Sequence, residues 1–233
     1  EIRADNELGD LSREIRSMQT RIVENTEKLR TMTAEKERTK TQLNLAEQIQ
    51  KGMLPSVFPP YPERTEFALY ASMTPALDVG GDFYDFFMVD DDHLCLVIAD
   101  VSGKGIPAAL FMMISKVIVK NSAMLVGNPS EVLTKANEAI CSNDNVEMFV
   151  TIWIGILEIS TGRVTAANAG HEYPALMKKG RFELLKDRHG LVIGAMPEAG
   201  YYDYEFTLEP GDKLFVYTDG VPEATNSKEE MFG

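Results

Sequence analysis

Between Leu8 and Ala46 apolar residues return every three and four positions with no proline among them, and that pattern leaves the chain few ways to fold. Leu8, Ile15, Ile22, Leu29, Lys36 and Leu43 share one heptad position, and Leu11, Met18, Asn25, Met32, Thr39 and Ala46 share the other. A seam of two residues in seven, with charged residues between, predicts a long helix paired with its copy in a parallel coiled coil; the alternative is an amphipathic helix folded back on its own domain. Asn25 is suited to setting register. Lys36 and Thr39 predict a weaker stretch of seam, of the kind a two-state switch needs.

The helical pattern stops near Met53, and Pro55, Pro59, Pro60 and Pro62 mark an extended connection. The expected division is a linker helix over 1–53 and a globular domain over 54–233. In the second part, strand-like runs occupy Phe67–Ala71, Phe83–Val89, Leu94–Ala99, Val150–Ile159, Arg163–Ala167, Tyr202–Leu208 and Lys213–Tyr217. Two helices interrupt them. One follows Pro107 and runs to about Met124, with Met112, Met113 and Met124 expected in the core; the other runs from Ser130, read as its N-cap, to Ile140. Strands on both sides of a helical pair predict an α+β layered sandwich. Trp153 reads as buried strand, and no internal repeat is present.

The net charge of −13 belongs almost wholly to residues 51–233, because residues 1–50 are nearly balanced. Such a surface argues against nucleic acid and anionic lipid as partners and suits a site for divalent cations. Cys95 and Cys141 lie in no metal or redox spacing, which fits a reduced cytoplasmic setting. No uninterrupted apolar run approaches the length of a membrane span.

Three acidic motifs carry the chemistry: Gly80-Gly81-Asp82-Phe83-Tyr84-Asp85, Ala99-Asp100-Val101-Ser102-Gly103-Lys104-Gly105 and Tyr217-Thr218-Asp219-Gly220-Val221. Each sets an Asp at a strand end or turn, where carboxylates can converge on a cation that prefers hard oxygen ligands. Taken singly, each is also an ordinary turn. With Asn168-Ala169-Gly170-His171 between the second and third, their order resembles the PPM-type metal-dependent phosphatases, and among them the branch typified by the sporulation stage II protein E. The likeness extends over Ala46 to Gly233, including the lead-in Ala46-Glu47-Gln48-Ile49-Gln50 and Met53-Leu54-Pro55.

That resemblance implies an α-β-β-α sandwich and a protein serine/threonine phosphatase. It implies two manganese or magnesium ions held by Asp82, Asp100, the Val101 carbonyl and Asp219, with Asp100 shared between the ions. Bridged cations acidify a water and neutralise the leaving oxygen, so no side-chain nucleophile is needed. Family members carry one more metal-binding Asp in an Asp-Asp-x-Thr-like segment. This sequence reaches Gly233 before any such segment, so the sandwich is expected to be incomplete at its C-terminal side and one metal site to be weak. The implied substrate is a phosphorylated bacterial regulatory protein, such as an anti-sigma-factor antagonist. Asn6-Glu7-Leu8-Gly9-Asp10-Leu11 resembles the second helix of a HAMP relay module, which implies a membrane anchor upstream of a cytoplasmic domain.

Some residues keep two readings. Asp85 is either a ligand or, because extended chain turns it away from Asp82, a hydrogen-bonding or solvated group. His171 is either a general acid or a turn stabiliser, and Lys104 either meets phosphate or is a solvated loop lysine. The string Gly-Gly-Asp-Phe also begins the signature of diguanylate cyclases, but Phe83 stands where that signature needs a second acid. The functional alternative is a catalytically silent relay that binds a partner protein.

Overall fold

The computed structural model describes residues 7–142 and 148–233. It divides into two compact units, Glu1–Ala46 and Glu47–Gly233. Helix α1 spans Glu7–Met53, 47 residues, so its last turns belong to the second unit. Asn6 and the side chain of Leu8, both part of the relay-module resemblance, lie outside the described residues. Along the helix, Arg13 pairs with Asp10, and the hydroxyls of Thr26, Thr31, Thr33 and Thr41 donate to carbonyls one turn back. The predicted seam is uncovered within the single chain: Leu11, Ile15, Met18, Ile22, Leu29 and Met32 are each about half exposed or more.

The second unit is α+β and its sheets are antiparallel. Five strands, β1 (Phe83–Met88), β2 (His93–Val101), β3 (Val150–Glu158), β4 (Arg163–Ala169) and β7 (Tyr204–Thr207), form the first sheet in that order. β6 (Arg181–Leu184), β5 (Ala175–Lys178) and β8 (Lys213–Phe215) form the second. Alternation along the strands gives the first sheet two buried faces. One carries Phe83, Phe87, Cys95, Val97, Ala99, Ile152 and Ile154, and packs on α2 (Ile106–Leu125) and α3 (Pro129–Cys141). The other carries Leu94, Leu96, Ile98, Trp153, Val164 and Ala166, and meets Leu214 of the second sheet and Val216 just beyond it. Three of the four expected layers are thereby in place; among the described residues no helix follows β8.

Several expectations need correction. Phe67–Ala71 forms no regular element and pairs with no strand; it lines a cavity of about 830 Å³ together with Leu94, Leu96, Leu157 and Leu214. The β5–β6 hairpin was not foreseen, because its strands are short and β6 is exposed throughout; the signal for it is Lys179-Gly180, both at positive φ in the tight turn. α3 starts at Pro129 with Asn128 in the N-cap position, making no side-chain capping bond, while Ser130 instead donates its backbone N–H and its hydroxyl to Asp203, each at 2.7 Å. Met112 is fully buried, but Met124 is 52% exposed on a stripe with Ile106, Leu110, Ile114 and Val117. Helix α2 is long and apolar enough to cross a membrane by length and composition, although Lys116 and Lys120 interrupt its apolar run. Here it packs on the first sheet, with Lys116 buried.

Candidate functional site: a row of carboxylates at a sheet end

Strand register places the first two aspartates. Phe83 pairs with Ala99, so one step beyond the ladder Asp82 stands opposite Asp100, and Asp100 pairs in turn with Thr151 on β3. Asp82, Asp100 and Thr151 therefore form one row across three strands, on the face turned toward the second sheet. The same register sets Gly81 against Val101. A Cβ on Gly81 would lie 2.6 Å from the Val101 carbonyl oxygen, so only glycine lets the two backbones pass this closely. Gly80 is held differently: the buried Gln50, in the last turn of α1, donates from Nε2 to the Gly80 carbonyl at 2.6 Å and accepts from its N–H at 3.2 Å. Sequence reasoning placed Gln50 only in a lead-in segment. Its signal is a polar side chain falling where the helix turns inward beside Leu54.

Like charges opposite each other in a sheet repel. Asp100 is pushed up to about 8, first by burial, then by its contact with Asp82 and the field of Asp219. Asp219, beyond β8, also lies above the ordinary carboxylate range, through burial, Glu223 and Asp82, with Lys104 acting in the opposite direction. The three predicted aspartates are thus brought within electrostatic reach of one another, and the exposed Lys104 lies close enough for its charge to be felt at Asp219. No group of three or more His, Cys, Asp or Glu side chains among the described residues is closed up tightly enough to hold a metal as it stands. The donor set nonetheless fits a hard cation: two opposed carboxylates, a third facing them, and a carbonyl in a cradle that a Cβ would fill.

Asp85 resolves by strand alternation. Its side chain lies on the helix side of β1, 4% exposed, where one carboxylate oxygen pairs with the Lys116 ammonium of α2 and the other accepts from the Phe86 N–H at 3.0 Å. It is neither a ligand nor solvated.

His171 is buried and tied to three segments. Its backbone N–H donates to Asn168 Oδ1 at 2.8 Å, and Asn168 Nδ2 returns a bond to its carbonyl at 3.1 Å. Its Nε2 lies 3.1 Å from the Tyr217 carbonyl, and its Nδ1 lies 2.9 Å from Thr151 Oγ1. A carbonyl only accepts, so Nε2 carries the proton and Nδ1 accepts from Thr151. Burial pushes the imidazole down to about 4, leaving it neutral near pH 7. Next to Tyr217, Thr218 Oγ1 donates to Asp82 Oδ2 at 2.7 Å. Thr151 and Thr218 went unrecognised because their contacts close across 20 and 136 residues of sequence.

A two-sheet core backed by one helical pair, with carboxylates meeting at the sheet ends, defines a PP2C-type phosphatase domain. Residues 90–233 match the family described as Stage II sporulation protein E, SpoIIE, and the chain belongs to that family. It is 31% identical over 219 residues to Protein IcfG of Synechocystis sp., covering 82% of this chain and 34% of the relative. It is 31% identical over 186 residues to phosphoserine phosphatase RsbU of Bacillus subtilis, covering 79% of this chain and 54% of RsbU. The chain spans between a third and about half of these relatives' lengths. Among solved structures, the SiaA-PP2C domain of Pseudomonas aeruginosa superposes with a TM-score of 0.73 at 23% identity, over 86% of this chain and 80% of that one.

Proposed function

We propose that the globular domain, taken as 54–233, is a manganese- or magnesium-dependent phosphatase that removes phosphate from serine or threonine of a bacterial regulatory protein, such as an anti-sigma-factor antagonist. The observation that carries this reading is the opposed pair Asp82 and Asp100 with Asp219 in electrostatic reach, three like charges of which the last is only partly offset by Lys104. Asp82, Asp100, the Val101 carbonyl and Asp219 would hold the metal, with Asp100 shared. Bound there, divalent cations supply an activated water and positive charge for the departing serine or threonine oxygen. The protein's own part is to hold the carboxylates apart from bulk water and in register. Thr218 orients Asp82 through its hydroxyl, and Lys104 offers a cation at the mouth for phosphate.

Control belongs in this reading to the segment 1–53, acting as a dimeric coiled-coil linker of a cytoplasmic domain whose parent chain is anchored at the membrane. Support comes from the uncovered seam and from Gln50, which joins the end of that helix to the backbone two residues before Asp82. The test is phosphate release from a phosphoserine protein with manganese, then with chelator. Manganese-dependent turnover lost in chelator is the expected result. A folded protein that releases no phosphate with any metal overturns the reading in favour of a silent relay.

A further inference from the structure

The three carboxylate-bearing segments have no covalent reason to stay in step: Asp82 precedes β1, Asp100 lies in β2, and Asp219 follows β8 in the other sheet. A chain of hydrogen bonds, closed by one cross-strand pair, joins them. Asp82 accepts from Thr218; the neighbouring Tyr217 carbonyl accepts from His171; His171 accepts from Thr151; and Thr151 is the cross-strand partner of Asp100. His171 bonds both to Thr151 in β3 and to the segment that follows β8, and it is itself held from behind by the two bonds to Asn168. Asn168 cannot turn over, because its Oδ1 and Nδ2 are both committed to the His171 backbone.

We propose that His171 is a positioning residue: as a neutral imidazole protonated on Nε2, it fixes the distance between the Tyr217–Asp219 turn and the Asp82–Asp100 pair, and so sets the affinity of the site for its metal. It transfers no proton in the reaction. Both ring nitrogens are occupied by Thr151 and Tyr217, which leaves neither free to face a leaving group. The proposal rests on the phosphatase reading for its importance, but the geometry it concerns is that of cation binding, which can be measured without substrate.

The experiment compares the full chain with His171→Gln, His171→Leu and Thr151→Val, reading manganese binding by calorimetry, phosphate release across pH, and fold by circular dichroism. Glutamine places an N–H donor near where Nε2 lies but cannot act as a neutral-pH acid. Leucine removes both bonds, and His171→Leu is expected to weaken manganese binding by about 10- to 100-fold, the range for residues that orient metal ligands, with turnover recovered at saturating metal. His171→Gln is expected to stay close to wild type in both manganese affinity and the shape of the pH profile. Thr151→Val keeps the volume and removes one bond; it shifts affinity in the same direction by less, and it decides the matter should the leucine variant fail to fold. Loss of one limb of the pH profile in His171→Gln, or a fall in turnover at saturating metal with binding unchanged, overturns the proposal in favour of proton transfer. Unchanged manganese affinity in Thr151→Val and His171→Leu, or a wild-type chain that binds no manganese, overturns it as well. A wild-type chain that binds manganese but releases no phosphate sinks the phosphatase reading alone, and the binding comparison then still decides the role of His171.

Discussion

Asp100 shows how a single side chain can serve a site while opposing the metal-free fold. Its ordinary pKa is 3.8, and burial followed by the contact with Asp82 lifts it to about 8. A raised folded-state value means that the proton is bound more tightly in the native protein. That stability is complete below the ordinary carboxylate range and is lost as pH rises through about 8. Asp100→Asn keeps the shape and removes the charge. Expected are loss of manganese-dependent phosphate release and, for the metal-free protein at pH 9, a melting temperature above wild type. Equal melting together with retained turnover would refute the assignment. The three aspartates were legible in the sequence because glycines and strand ends mark them. Their exact opposition was not, since it depends on a register of β1 with β2 that only the folded sheet fixes.

At the scale of the element, α2 is joined to β1 by a buried ion pair. Asp85 and Lys116 are 4% and 9% exposed at their side chains, so each charge is removed from water and depends on the other. Breaking a buried pair by removing one partner destabilises by about 3–5 kcal/mol, because the survivor stays buried and uncompensated. Lys116→Met should therefore lower the unfolding free energy read from a urea titration by an amount in that range, and Asp85→Asn combined with Lys116→Met should recover most of it. Additivity of the two single losses would show that the pair is not coupled. Period-two alternation told which way Asp85 points. Its partner was out of reach of sequence reasoning, because a helix and a strand 31 residues apart meet only after the sheet has formed. The unpaired Phe67–Ala71 failed for a related reason: alternation shows that a segment can be a strand, and a neighbour decides whether it is one.

At the scale of the molecule, the long helix and the α+β unit were the most legible features. The heptad and the proline cluster are both local signals, whereas the division of strands between two sheets is not. The seam makes its own prediction. Ile22 lies mid-seam, 56% exposed in the single chain, and Ile22→Asp should convert a dimer to a monomer in sedimentation while leaving manganese affinity unchanged. A wild-type chain that sediments as a monomer, or a variant that remains dimeric, would count against the seam.

The ion pair inside the fold also bears on descent. Because either charge alone is worse than both or neither, positions 85 and 116 are expected to be inherited as one trait: a lineage that loses the lysine would have to lose the aspartate in step, through an intermediate that folds poorly. Across related sequences the two sites should therefore change together or stay, so that a column of sequence beside a strand and another inside an apolar helix carry the same history.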